Sequence, residues 1–146
     1  MTEMTIDNAT LARRIYQAFN ERRLDDAIAL ATEDVELTIV PWGQTFHGHD
    51  GFREFMTGFI NGYSDIQIAE ITNQVASAYG VATEFIARGT HDGTLVSPAG
   101  EIPATGKAVD FPIVEVWEVR DGKLAALRNY FDSATIMAQL GLLPED

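Results

Sequence analysis

Two carboxylates in the C-terminal third of the chain stand among aromatic residues at strand-like spacing. Asp132 closes the stretch Leu127-Arg128-Asn129-Tyr130-Phe131-Asp132, and Glu115 lies two residues before Trp117. A carboxylate enclosed by apolar groups loses solvation, its pKa rises, and it can then exchange protons near neutrality. Such chemistry requires no cofactor, and none is expected. The glycines of His47-Gly48-His49-Asp50-Gly51 are turn glycines and lack the GxGxxG order of a phosphate loop. The three histidines show no HxxxH-like spacing, so no metal site is expected. With no cysteine, disulfides, thiolate ligands and a cysteine nucleophile are excluded.

Alternation sorts each strand into two faces. In the last run Leu124, Ala126, Arg128, Tyr130 and Asp132 share one face, and Ala125, Leu127, Asn129 and Phe131 the other. Before it, Phe111, Ile113, Glu115, Trp117 and Val119 oppose Pro112, Val114, Val116 and Glu118. Earlier still, Phe85, Ala87, Gly89 and His91 oppose Glu84, Ile86, Arg88 and Thr90. A bulge would shift any of these by one. Tyr130 with Asp132, and Trp117 with Glu115, are the faces that mix aromatics with one acid, as suits a pocket for an apolar molecule. Asp132 has a second reading, as N-cap of a helix in Ser133-Ala134-Thr135 onward. Arg88 is read as a structural ion pair with Glu84, Glu115 or Glu118.

The elements that would position these groups run helices first. Asp7 or Asn8 caps a helix with Leu11, Ile15 and Phe19 at i, i+4, i+8. Tyr16 lies beside that stripe, either as a boundary residue or with its hydroxyl turned to a substrate oxygen. Leu24 and Ile28 mark a second short helix, with Ala31 at its end. Residues 36–42 read as a strand stopped by Pro41 and Gly43, with Trp42 at the mouth of any enclosed space. Asp50 then caps a third helix carrying Phe52, Phe55, Phe59 and Ile60 on one side. Four strand-like runs follow from about residue 65, and Asp121-Gly122 between two of them is a two-residue hairpin. This order predicts one α+β domain over residues 1–146, a strongly curved antiparallel sheet wrapped as a cone around three N-terminal helices. Strands apolar on both faces predict a homodimer through the outer sheet face.

Ten Lys and Arg against 22 Asp and Glu give a net charge of −12. A field of that sign repels phosphate backbones and anionic lipid, so neither nucleic acid nor a membrane surface is an expected partner. No run approaches the roughly 20 apolar residues of a membrane span. The first 14 residues show no basic segment leading into an apolar core, so a soluble cytoplasmic protein is expected.

Gly89-Thr90-His91-Asp92-Gly93, Pro103-Ala104-Thr105-Gly106-Lys107, Arg120-Asp121-Gly122-Lys123, Tyr130-Phe131-Asp132 and Gln139-Leu140-Gly141-Leu142 together resemble the SnoaL-like polyketide cyclases, of the nuclear transport factor two-like superfamily. The turn Phe46 to Phe52 is similar to that family's entry into its third helix. The resemblance implies a cone-shaped α+β fold and an acid/base at Asp132, with His91 at the family's GTH histidine. Related limonene-type epoxide hydrolases share the Tyr-Phe-Asp ending, but their Arg-x-Asp pair falls on Phe85 and Ala87 and their Tyr-x-Asn pair near Thr38 and Val40. Ketosteroid-isomerase-like members carry a base where this chain has Ile39. The expectation is therefore a cofactor-independent enzyme acting on an apolar, oxygenated small molecule. Asp132 would move a proton beside a carbonyl, and His91 and Tyr16 would stabilise the oxyanion. Tyr16, Trp42, Phe59, Glu115, Trp117 and Tyr130 would contact the substrate. The alternatives are hydrolysis of an epoxide or lactone, and a non-catalytic ligand-binding dimer.

Overall fold

A computed structural model describes residues 7–143; the first six of the 14 residues read above as lacking a leader lie outside them. Helix α1 (Asn8–Asn20) is capped by the Asp7 side chain, which accepts from the Ala9 amide. Its stripe of Leu11, Ile15, Tyr16 and Phe19 is buried. Helix α2 (Leu24–Ala29) follows, and the chain turns directly into strand β1 (Ala31–Ile39), five residues earlier than periodicity suggests. Ala31 thus belongs to the strand. A 3-10 turn (Val40–Trp42) and strand β2 (Gln44–His47) lead to helix α3 (Gly48–Gly62), where His47 and not Asp50 holds the N-cap position. Asp50 sits in the first turn, the favourable end of the helix dipole for an anion.

The remaining chain forms strands β3 (Gln67–Ala76), β4 (Gly80–Thr90), β5 (Leu95–Ser97), β6 (Gly100–Ile102), β7 (Ala108–Arg120) and β8 (Lys123–Phe131), then helix α4 (Ser133–Gln139). Six strands make one sheet in the order β2-β1-β8-β7-β4-β3, and β5 and β6 form a separate hairpin. The sheet is mixed rather than wholly antiparallel, because β1 pairs with β8 in parallel. Asp121 and Gly122 adopt φ of 53° and 75°, as a two-residue hairpin requires.

The apolar stripes of α1 and α3 lie in one core with Phe85, Ala87, Phe111, Ile113, Trp117 and Leu127 of the sheet. This is the α+β layering of helices on one face of a curved sheet. Among the described residues no helix is long and apolar enough to cross a membrane.

Candidate active site

Register decides which polar side chains meet inside. Glu115 of β7 pairs with Thr83 of β4 and with Asn129 of β8, and Thr83 pairs with Gln74 of β3. A polar row therefore crosses four strands at one level of an otherwise apolar inner face. Thr83, Glu115 and Asn129 are 1%, 4% and 1% exposed, far below the usual exposure of a glutamate.

Glu115 survives burial through its donors. The Tyr16 hydroxyl and Trp117 Nε1 donate to Oε1 at 2.9 and 3.1 Å, and Asn129 Nδ2 donates to Oε2 at 2.7 Å. Desolvation nevertheless dominates and holds the Glu115 carboxyl above the ordinary carboxylate range, with the bonds from Asn129, Tyr16 and Trp117 opposing it. Burial, then the adjacent Glu115 charge, pushes the Tyr16 phenol well above its usual value. At the far end of the row Gln74 Nε2 donates to Thr83 Oγ1 at 3.1 Å. A buried acid with a raised pKa and fixed orientation is what general acid/base chemistry requires.

Two cavities flank this level. The deep one, about 50 Å³, is walled by Tyr16, Phe59, Glu115, Trp117 and Asn129 among apolar side chains. The mouth cavity, about 430 Å³, is walled by Trp42, Phe59, Phe111, Phe131 and Met137 and by the β5–β6 hairpin. Phe59 belongs to both walls, and the inward faces of β7 and β8 run from one to the other. Trp42 meets the Phe131 ring edge-on, with centroids 5.7 Å apart. The titratable groups in the mouth wall are Glu101, which is exposed, and Tyr63, whose phenol burial pushes up to about 12.

The structure separates the residues that spacing brought together. Tyr16, Phe59, Glu115 and Trp117 line the deep cavity and Trp42 the mouth. The Tyr16 hydroxyl, expected to meet a substrate oxygen, is committed to Glu115. Tyr130 is 40% exposed on the opposite sheet face from Asn129, so it touches neither cavity. Asp132 is exposed and walls neither cavity. It caps α4, accepting from the Ala134 and Thr135 amides and the Thr135 hydroxyl, and these bonds lower its pKa where enclosure would have raised it. Its capping role holds in the structure, and the desolvation argument transfers to Glu115.

His91 is wholly buried but lines none of these cavities. Its Nδ1 accepts from the Thr105 amide at 3.2 Å, and its backbone exchanges bonds with Gly106 and Lys107, so it ties the end of β4 to the loop before β7. Arg88 pairs with Asp110 at 2.7 Å and not with a glutamate. Asn129, Thr83 and Gln74 were not singled out by spacing. The available signal was Asn129 itself, a polar residue between Leu127 and Phe131 on an apolar face.

Against known proteins, a family model described as SnoaL-like polyketide cyclase matches residues 9–140. Solved structures share the fold along nearly the whole chain. A candidate polyketide cyclase from Pseudomonas putida is 27% identical, with a TM-score of 0.78, over 92% of this chain and 98% of that one. A candidate SnoaL-like polyketide cyclase from Jannaschia is 18% identical, with a TM-score of 0.82, over 94% of this chain and 93% of that one. AclR, a candidate hydroxylase from Streptomyces galilaeus, is 22% identical, with a TM-score of 0.78, over 99% of this chain and 86% of that one. No curated protein matches.

Proposed function

Since the chain belongs to the SnoaL-like polyketide cyclase family, we propose that it is a cofactor-independent enzyme in which Glu115 moves a proton at a carbon beside a carbonyl. In a ring closure, ionised Glu115 takes the proton and the carbanion attacks a second carbonyl of the same molecule. The protonated carboxyl then returns the proton to the new alkoxide. The observation that carries this reading is the one carboxylate buried among the described residues, Glu115, which walls the deep cavity and is held by three donors. Tyr16, Trp117 and Asn129 position Glu115 and offset the burial of its charge. Trp42, Phe59, Phe111 and Phe131 supply flat apolar walls for the rest of the molecule.

The test is exchange of the α-hydrogens of 2-tetralone for deuterium, followed by NMR across pH. A base acts when ionised, so the rate should rise with pH through an inflection above the ordinary glutamate range and then level off. An inflection within or below that range would assign the chemistry to an exposed carboxylate such as Asp132.

A second reading is hydrolysis. The deep cavity, at about 50 Å³, has room for water beside Glu115 and Asn129. The homodimer remains a proposal, with Ile86, Val114, Val116 and Tyr130 on the outer sheet face as its contact. Sedimentation should then give twice the mass of one chain, and a Tyr130→Glu variant should sediment as a monomer. A wild type of monomer mass would dismiss that interface.

A further inference from the structure

The polar row continues past Glu115 toward the sheet edge, and its outer half reaches no cavity. Thr83 is 1% exposed and Gln74 is partly buried, and neither lines the deep or the mouth cavity. Any influence they have on chemistry at Glu115 must pass through another side chain.

The order of donors sets the direction of that influence. Gln74 Nε2 donates to Thr83 Oγ1 at 3.1 Å and reaches the Ala9 carbonyl oxygen at 3.5 Å. A reversed amide would set two carbonyl oxygens against each other, so the nitrogen stays toward Thr83. Gln74 Oε1, like Asn129 Oδ1, is left buried without a partner. Thr83 Oγ1 therefore accepts from Gln74, and its one hydrogen is free for a further acceptor. Thr83 stands opposite Glu115 in the ladder, beside the carboxylate oxygen that accepts from the Tyr16 hydroxyl. The phenol oxygen of Tyr16 is that further acceptor. Burial and then the Glu115 charge raise the Tyr16 phenol, and the bond from Thr83 opposes them, as a donor to the phenol oxygen must. Donors thus run one way, from Gln74 to Thr83 to Tyr16 to Glu115, and in such a chain each bond polarises the next.

We infer that Thr83 is a positioning residue for Glu115: backed by Gln74, it holds and polarises the Tyr16 hydroxyl so that its hydrogen points at the carboxylate. A stronger donor at Tyr16 favours the ionised form. Burial raises the Glu115 carboxyl, and the bonds it accepts, that of Tyr16 among them, oppose the rise. The consequence for catalysis rests on Glu115 being the reacting base; the relay itself does not.

Carbon NMR of protein labelled at its glutamate side-chain carboxyls reads the relay without reference to turnover. The Glu115 signal is the one lost in Glu115→Gln. Thr83→Val keeps the side-chain shape and removes the hydroxyl. The Glu115 midpoint should then move up by about 0.1–0.7 of a pH unit, as when a charge-assisted bond loses roughly 10–30% of its strength. Thr83→Ser, which keeps the hydroxyl, should titrate with the wild type. In a Tyr16→Phe background Thr83→Val should shift nothing further, because the link is already cut. Should Thr83→Val fail to fold with Gln74 left unpaired, adding Gln74→Leu removes both partners, a nearly neutral exchange, and should give the same shift. An unmoved midpoint in the valine variant would overturn the inference. So would a shift of equal size with and without the Tyr16 hydroxyl, because Thr83 would then act through packing alone. The pH inflection of α-hydrogen exchange should follow the Glu115 midpoint. A midpoint that moves while the inflection stays would support the relay and reject Glu115 as the base.

Discussion

Glu115→Gln loses catalysis of α-hydrogen exchange by a factor of about 10²–10⁴, the usual contribution of a positioned acid or base, and still folds. The substitution keeps the shape of the side chain, and its amide oxygen can accept from Tyr16 and Trp117 as the carboxylate does. The amide nitrogen would meet Asn129 Nδ2 head-on, but rotation of the Asn129 amide presents Oδ1 instead, giving that unpartnered atom a donor. Stability follows a definite sign. The folded protein holds the Glu115 carboxyl above its ordinary pKa, so it binds the proton more tightly than the unfolded chain does. The stability contributed by this group is fully present below the unfolded-state pKa and is lost as pH rises through the folded value. Melting curves should therefore show Glu115→Gln at least as stable as the wild type at neutral pH, with the difference closing in acid. Asp132→Asn is the matched control. Asparagine caps a helix as well as aspartate does, so that variant should keep both its fold and its exchange rate. The opposite pattern, with Asp132→Asn inactive and Glu115→Gln active, would return the chemistry to the end of β8.

That contrast turns on one residue of register. The Asp121-Gly122 hairpin was legible, and so were the two faces of β7 and β4, because strict alternation carries them. An unbroken ladder from the Arg120–Lys123 pair would set Glu115 opposite Arg128, with Tyr130 and Asp132 on its face. Instead Glu118 pairs with Ala126 and Val119 with Leu124, leaving Ala125 as an extra residue on β8. A bulge of this kind turns every later side chain to the other face. Asn129 and Phe131 go in, and Tyr130 goes out. Nothing in Leu124-Ala125-Ala126-Leu127 marks the bulge, since alanine packs on either face; its sign in the structure is that Leu124 and Leu127 are both buried. The parallel pairing of β1 with β8 was hidden for a different reason. It joins segments nearly a hundred residues apart, and no local pattern specifies such a contact. Asp132 carried two readings because a helix cap and a strand-end acid look alike in sequence, and only the backbone following it distinguishes them. The helical stripes of α1 and α3, which need no long-range information, were legible from spacing alone.

Trp117→Ala should cost about 3–5 kcal/mol of stability, the range for removing a large buried aromatic, out of the 5–15 kcal/mol that holds a typical domain. Trp117 is 2% exposed, packs edge-on against Tyr16 with ring centroids 5.2 Å apart, and walls the deep cavity. A chemical or thermal denaturation midpoint reads this loss directly. Trp117→Phe divides the packing from the polar role. It keeps an aromatic ring and loses part of the volume, so the midpoint should fall by less than in the alanine variant. It also removes the Nε1–H that donates to Glu115 Oε1. That bond favours the ionised carboxylate and opposes the burial that raises its pKa. Without it the carboxyl should move further up, and the inflection in the exchange rate should shift to higher pH. If the midpoint falls while the inflection stays in place, Trp117 is a packing residue only. A shifted inflection in a variant that still melts cooperatively assigns the indole N–H to tuning Glu115, because lost packing alone does not specify which ionisation controls the rate.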